Sequence, residues 1–323
     1  MRALPLLIIA GVATLLLAIA SLFIGVSDVT LAGVFSGGPE GRPMQVLLIS
    51  RVPRTLSLLL AGSSMAIAGL VMQIVVRNRF VEPGTVGTTE SALLGFLLVT
   101  LLAPGWPIMA KMMVAALFAL AGTFLFLRVI RSVPPRDVLL VPLIGIMLSG
   151  IIGAVTSFFA YRFGLLPSLL AWELGDFSGV LRGRYELLWI GLVCAVAAYW
   201  AADRFTVAGM GEDFTTNLGL NYNQTMTLGL IIVSISSAVV LVSVGIIPFL
   251  GLVVPNVISL LVGDNMRRTV PWVAVSGAAF VVACDILGRV IRYPYEIPIG
   301  VVVGVIGSAI FLYLLLRTRR SAA

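Results

Sequence analysis

Apolar stretches long enough to cross a membrane recur along almost the whole chain, with only short polar breaks between them. A spanning helix needs about 20 mostly apolar residues, and about ten such stretches fit the sequence. They begin near Leu4, Thr55, Val86, Ile108, Val138, Glu186, Thr225, Ile246, Pro271 and Ile299. The pattern therefore predicts an all-α polytopic membrane protein with about ten transmembrane helices, forming a single domain over residues 1–323.

The composition favours a membrane protein over a soluble one. Hydrophobic residues make up 60% of the 323 residues and charged residues only 11%, with a mean hydropathy of +1.12. Such a chain has too few polar groups to cover a water-facing surface. The first apolar stretch, residues 4–24, is longer than the apolar region of a typical signal peptide, and no A-x-A cleavage site follows it. We expect it to be a retained helix.

The basic residues lie mainly in the breaks between apolar stretches. Lys and Arg number 21 against 14 Asp and Glu. If the helices alternate in direction, the positive-inside rule places the larger group of arginines and both termini in the cytoplasm. That group is Arg2, Arg77, Arg79, Arg128, Arg131, Arg136, Arg204, Arg267, Arg268, Arg317, Arg319 and Arg320. The outer side receives Arg42, Arg51, Arg54, Lys111, Arg162, Arg182, Arg184, Arg289 and Arg292, an excess that predicts an acidic partner.

Several kinds of chemistry lack the residues they need. The chain has no histidine, and Cys194 and Cys284 lie far apart within apolar stretches, so we expect buried packing cysteines and no metal bound directly by side chains. The sequence has no G-x-x-x-x-G-K-[ST] phosphate loop and no recognisable pair of nucleophile and base. We therefore expect that the chain is not an enzyme and that another subunit hydrolyses any ATP used.

Two motifs lie in the first two thirds of the chain. Residues 51–87 frame an apolar stretch with arginines, and its small residues suit close helix packing: Gly62, Ser63, Ser64, Ala66, Ala68 and Gly69. Residues 209–221, GMGEDFTTNLGLN, are polar, bounded by glycines and predicted to be cytoplasmic. Glu212 and Asp213 suit the front of a short helix there. A plain solvated loop is the alternative for this second motif.

Two more motifs lie near the C-terminal end. In residues 249–268, Pro255 is expected to bend or break its helix, and Asp264 with Asn265 is expected to cap the next one. In residues 285–300, Asp285 lies within or close to an apolar stretch. It is either the ion-pair partner of Arg289, one helical turn later, or a proton carrier. Glu296 is expected to pair with Arg292.

In this order, the four motifs resemble the FecCD/BtuC-type permease subunits of ABC importers for ferric siderophores and vitamin B12. The resemblance covers almost the whole chain and implies a BtuC-like type II importer permease fold. It also implies that Arg51, Arg54 and Arg289 dock a solute-binding protein, with snorkelling to lipid phosphate as the alternative for each. Within residues 203–224 it implies an ATPase-coupling helix that uses Gly211, Glu212, Asp213, Leu218 and Gly219. Ser149 and Thr156 are candidates for the translocation pathway.

Two positions depart from the common family pattern. Thr215 stands where the family usually has alanine, four residues before the final glycine of the coupling motif. Asn256 stands after Pro255 where many members have histidine, and we associate the asparagine form with permeases for catecholate siderophores.

The resemblance implies a permease for a ferric siderophore, of catecholate type, in the bacterial inner membrane. Its expected partners are a second permease subunit, paralogous or identical, two cytosolic ATPase subunits and a solute-binding protein. No cofactor is expected on this chain, and ATP is spent by the partners. Cobalamin and haem are alternative cargoes. An ion-coupled secondary transporter, using Asp285, and a membrane receptor or scaffold are the alternative classes.

Overall fold

A computed structural model describes residues 3–25, 42–132, 140–181, 183 and 185–321. Within these ranges the chain forms helices and turns and no strand. Arg2, Arg136, Arg182 and Arg184, which the orientation prediction used, lie outside the described residues. So do the side chains of Arg42, Arg131, Arg317, Arg319 and Arg320.

The α-helices follow one another with short connections. They are α1 (Ala3–Phe23), α2 (Arg42–Val46), α3 (Val52–Val76), α4 (Thr88–Leu102), α5 (Ile108–Arg131), α6 (Leu140–Arg162), α7 (Leu166–Glu173), α8 (Leu188–Trp200), α9 (Ala202–Ala208), α10 (Glu212–Asn217), α11 (Tyr222–Val244), α12 (Leu250–Val262), α13 (Met266–Val290) and α14 (Ile299–Ser321). A π-helical turn at Leu47–Arg51 joins α2 to α3, and 3₁₀ turns at Pro83–Val86 and Tyr185–Leu187 precede α4 and α8.

The structure does not confirm the predicted count of about ten membrane crossings. Each predicted apolar stretch contains a helix. However, the described residues hold seven helices long and apolar enough to span, or eight if α8 and α9, bent by 63°, form one crossing. Helices α4 and α12 have only 15 and 13 residues, which is about 20 Å of helix against a hydrocarbon core of about 30 Å. By length and composition alone, α4 and α12 do not count as membrane-spanning helices.

Helix α3 forms the centre of the bundle. In its most apolar window, 83% of the residues are buried, and it packs against α8, α11, α12 and α13. The small residues permit this, as their pattern predicts. A Cβ atom added at Gly62 would lie 2.7 Å from the carbonyl oxygen of Gly277, and one added at Gly69 would lie 2.1 Å from that of Gly251. Backbone therefore contacts backbone on two sides of α3.

Pro255 does not break its helix, which was one of the two outcomes expected for it. Helix α12 continues through Pro255, and the non-helical segment lies before it, between Val244 and Leu250. Because proline has no N–H, the carbonyl of Gly251 loses its helical donor. Gln73 of α3 replaces that donor, with Nε2 at 3.2 Å from the Gly251 oxygen. A side chain from the neighbouring helix thus satisfies the group that proline frees.

The start of α12 is held by a carboxyl group from the α3–α4 connection. Glu82 is buried, and its Oε1 accepts a hydrogen bond of 3.0 Å from the N–H of Phe249. Phe249 has a left-handed backbone conformation, φ 61°, directly before α12. Burial raises the pKa of Glu82 to about 7, although nearby backbone N–H groups oppose the shift. An acidic group at a helix N-terminus is favourable, so Glu82 fixes the position of this short helix.

We expect Gly69→Ala to destabilise the protein and Gly150→Ala to leave it unchanged or slightly more stable. The new methyl at residue 69 would collide with backbone, whereas nothing lies within 4 Å of a Cβ at Gly150. Overpacking of this kind costs about 1–3 kcal/mol, and alanine is the better helix former where space is free. Thermal unfolding of the detergent-solubilised variants measures the difference, and equal midpoints for the two would contradict the proposed packing.

Candidate functional site

Charged and functional residues gather at the two ends of the bundle. We call the end that holds Arg51, Arg54 and Asp285 the outer end, and the end that holds Arg77 and Glu212 the inner end, after the orientation that the charges predict.

At the outer end, Asp285 of α13 lies between two arginines. Its Oδ1 accepts from Arg54 Nη2 at 2.7 Å and from Arg54 Nε at 3.1 Å. Its Oδ2 accepts from Arg289 Nη2, one turn along the same helix. Only 2% of Asp285 is exposed. The ion pair with Arg289 that the spacing predicts is therefore present, and Arg54 is a second partner that the local spacing gives no sign of.

Arg54 also binds the connection between α13 and α14. Its Nη1 lies 2.7 Å from Oε2 of Glu296, so the predicted pairing of Glu296 with Arg292 is wrong. The Arg292 guanidinium instead lies 5.8 Å from the ring centroid of Tyr295. Arg54 thus binds the start of α3 to α13 through Asp285 and to the α13–α14 connection through Glu296.

Arginines also close the outer end of α1. Arg289 Nη1 donates to the carbonyl oxygens of Ser21 at 3.0 Å and Ile24 at 2.6 Å, and its Nη2 donates to the Ser21 hydroxyl. Arg51 Nη1 donates to the same Ile24 oxygen. The last carbonyls of a helix lack intrahelical donors and carry partial negative charge, so two guanidiniums satisfy them well.

The three arginines assigned to docking are largely buried. Arg51 is 6% exposed, Arg289 is 3% exposed and the Arg54 side chain is 11% exposed. All three guanidiniums have partners inside the chain because the outer ends of α1, α13 and the α13–α14 connection surround them. Arg54 is the most accessible of the three, and its partner Glu296 keeps 28% of its side chain exposed.

The inner end presents the short helix α10. Gly211 precedes it with φ 121°, and Gly219 follows with φ 77°, conformations that glycine adopts readily. Glu212 and Asp213 form the exposed first turn, where acids are favourable. The predicted short helix is present. The hydroxyl of Thr215, fully buried, donates to the carbonyl of Gly211 at 2.6 Å and lies 3.2 Å from that of Val207 in α9, so the departure from alanine ties α10 to its support.

An exposed apolar row runs along the same segment. Met210, Phe214 and Leu218 are spaced by four residues and all three are exposed. Met210 lies just before Gly211, Phe214 lies within α10, and Leu218 directly follows the helix. Leu218 belongs to the predicted coupling set, whereas Met210 and Phe214 were not singled out from the sequence. Their four-residue spacing is the signal that would have found them.

The candidate pathway residues on α6 make internal contacts. Ser149 Oγ lies 3.3 Å from the Gly84 carbonyl, and Thr156 Oγ1 donates to the Ile152 carbonyl at 2.9 Å. Thr156 is buried. The exposed face of α6 is instead mainly apolar, with exposed side chains at Leu143, Ile146, Met147, Ile151, Val155 and Phe158.

Three further residues at the inner end have structural contacts. Asn265 caps α13, as predicted, by accepting from the N–H of Arg268 at 3.3 Å. Asp264 pairs with Arg79 at 2.5 Å rather than capping. Asn256 donates to the carbonyls of Arg79 and Leu252, both at 2.7 Å, so its amide joins α12 to the connection after α3.

The sequence matches the FecCD transport family over residues 13–317. The chain belongs to this family. Relatives of this FecCD chain include the petrobactin import system permease protein YclN of Bacillus subtilis, 46% identical over 95% of this chain and 97% of the relative. Another is the petrobactin import system permease protein FatD of Bacillus anthracis, which is 41% identical over 97% of this chain and 91% of the relative. The ferric-anguibactin transport system permease protein FatD of Vibrio anguillarum is 42% identical over 84% of this chain and 86% of the relative.

The fold of this FecCD chain also occurs in a solved transporter. A metal-chelate type ABC transporter in an inward-facing conformation superposes with a TM-score of 0.81, at 24% identity, over 97% of this chain and 99% of that chain. The helical bundle described above therefore has the same fold as that transporter chain. The FecCD chain is a multi-pass membrane protein of this class.

We expect Asp285→Ala to be among the most destabilising changes in this FecCD chain. It leaves Arg54 without its main partner and removes the carboxylate facing Arg289, and breaking a buried pair costs roughly 3–5 kcal/mol. Asp264→Ala is the matched control, because its pair with Arg79 has 56% and 66% of the side chains exposed and exposed pairs contribute little. Thermal midpoints in detergent compare them, and a midpoint for Asp285→Ala as high as for Asp264→Ala would refute the proposed role of Asp285.

Proposed function

We propose that the chain is the permease subunit of an ATP-driven importer that carries a ferric siderophore, of catecholate type, across the bacterial inner membrane. Membership of the FecCD family over residues 13–317 supports this most directly. The three relatives at 41–46% identity bear names of siderophore systems, for petrobactin and for ferric anguibactin. The substrate arrives already chelated, so the pathway needs shape and weak contacts rather than metal ligands.

The proposed complex contains this chain, a paralogous second permease, two cytosolic ATPase subunits and an external solute-binding protein. Both termini lie in the cytoplasm, and α4 and α12 complete about ten crossings together with the longer helices. Residues 1–323 form one transmembrane domain. A pathway forms along the axis between the two permeases, with the apolar exposed face of α6 beside it. Ser149 and Thr156 shape that helix through their hydrogen bonds to backbone.

The coupling segment lies within residues 203–224 and contacts an ATPase subunit through α10. Met210, Phe214 and Leu218 enter an apolar groove of the partner, while Glu212 and Asp213 meet its basic groups. The glycines at 211 and 219 set the entry and exit of the helix. Thr215 binds α10 to α9, so movement of the ATPase passes to the bundle as a rigid displacement rather than being lost in a flexible loop.

Docking of the binding protein centres on Arg54. A carboxylate from the binding protein replaces Glu296, the more exposed of the two acids bound to Arg54. Arg51 and Arg289 act behind it, because their guanidiniums hold the outer end of α1. Docking thereby reaches α1, α13 and α14 through one side chain.

The geometry at Asp285 disfavours the ion-coupled alternative. If Asp285 took up a proton, Arg289 would lose its carboxylate partner and Arg54 would keep only Glu296. A secondary transporter would also have no use for α10 with its exposed apolar row.

The first experiment measures ATPase activity of the chain reconstituted in vesicles with its neighbouring permease and ATPase. We expect stimulation by a binding protein loaded with ferric siderophore. Glu212→Arg and Phe214→Asp should each abolish the stimulation, because both lie on the proposed contact surface. Arg268→Gln is the matched control, since it changes an exposed charge at the inner end outside the coupling segment. Uptake driven by a proton gradient without ATP would support the ion-coupled alternative instead.

The cargo is tested in the same vesicles. Uptake of radioactive iron is measured with the loaded binding protein, offering ferric catecholate and ferric hydroxamate separately, and cobalamin and haem uptake is measured in parallel. We expect the ferric catecholate to be transported at the highest rate. A higher rate for hydroxamate, cobalamin or haem would overturn the catecholate assignment while leaving the permease function intact.

A further inference from the structure

A cavity of about 780 Å³ opens at the inner end between α3, α5, α6 and α11. Its volume lies within the range of about 300–1,000 Å³ typical of pockets that bind small molecules. None of the residues discussed above for docking, coupling or transport lines it. The cavity is therefore a feature that the proposed transport function does not use.

The charged residues of the lining are two arginines, and they lie at helix ends. Arg77 directly follows α3, Arg128 lies one turn before the end of α5, and Asn223 belongs to the first turn of α11. Among the described residues, no carboxylate lies within 4.0 Å of either guanidinium. The N-terminus of α11 adds partial positive charge at the same place. This rim can therefore hold an anion.

Most of the remaining lining is apolar and lies further along the same helices. Phe124 and Leu127 precede Arg128 on α5, Ile144 lies one turn into α6, and Leu230 lies two turns into α11. Phe124 is largely exposed, so this wall is open at the side of the bundle. A soluble anion would gain nothing from such a wall, whereas a hydrocarbon chain would bury apolar surface against it.

We propose that this cavity binds an anionic phospholipid, with its phosphate on Arg77 and Arg128 and an acyl chain along Phe124, Leu127 and Leu230. Basic pockets between membrane helices are suited to anionic head groups, and a phosphate accepts hydrogen bonds from two guanidiniums well. The site is independent of the cargo and goes beyond the proposed transport function.

The position of Arg77 connects this site to the coupling segment. A Cβ atom at Gly211 would lie 3.4 Å from Arg77 Nη2, so the guanidinium lies against the residue that precedes α10. Arg77 has a left-handed backbone conformation, φ 55°, which turns the chain away from α3. A head group held by Arg77 therefore lies beside α10.

The test uses the full chain in a neutral detergent, with phosphatidylglycerol or phosphatidylcholine added in equal amounts. Native mass spectrometry measures the lipid retained. We expect selective retention of phosphatidylglycerol by the unchanged protein, weakened about fivefold by each of Arg77→Gln and Arg128→Gln. Arg204→Gln, an exposed arginine of α9 outside the cavity lining, is the matched control and should retain the lipid normally. The double variant with Arg77→Lys and Arg128→Lys keeps both charges. It should retain more lipid than the double glutamine variant, which combines Arg77→Gln and Arg128→Gln.

Three results would overturn the proposal. The first is equal retention of phosphatidylglycerol by the double glutamine variant and the unchanged protein. The second is inorganic phosphate that raises the thermal midpoint as much as the lipid does, which would identify a site for a soluble anion. The third is loss of the bound lipid when the ATPase subunit assembles, which would assign the cavity to a protein interface.

Discussion

The approach of backbone to backbone around α3 is the constraint on which the bundle depends. Within a membrane, apolar side chains gain little by leaving lipid for protein, so helices associate through close packing and polar contacts. Gly62 against Gly277 and Gly69 against Gly251 provide that packing on two sides of α3. Helix α3 carries Arg54 near its outer end and is followed directly by Arg77 at its inner end. This central helix thus positions one arginine at each end of the molecule.

Charge balance explains why α1 belongs to this arrangement. Among the described residues, the outer cluster contains three arginines, Arg51, Arg54 and Arg289, and two acids, Asp285 and Glu296. The surplus positive charge cannot be left without partners in a buried position. The carbonyl oxygens at the end of α1 supply the missing acceptors. Helix α1 is itself largely exposed, so these hydrogen bonds do much to hold its outer end on the bundle.

The sequence predicted the local features and missed the distant ones. Asp285 with Arg289 and Asn265 as a cap follow from spacing along one helix, and the small residues of α3 indicate close packing wherever their partners lie. Arg54 meets Glu296 across 242 positions, and no local pattern encodes that contact. Pro255 looked like a break because Gln73, which repairs it, lies on another helix. The burial of Arg51, Arg54 and Arg289 was missed for the same reason, since the partners that bury them come from remote segments.

The hydrogen bonds between Arg289 and the end of α1 have a consequence for the order in which the chain is made. Ile24 and Arg289 are 265 positions apart. At synthesis rates of about 5–20 residues per second, roughly 15–50 s pass between the appearance of the first and of the second. During that interval Arg51, which follows Ile24 by 27 positions, can already donate to the Ile24 carbonyl. The Ser21 carbonyl must rely on water or lipid head groups until Arg289 is made. The outer end of α1 therefore receives its full set of hydrogen bonds only after α13 has been synthesised.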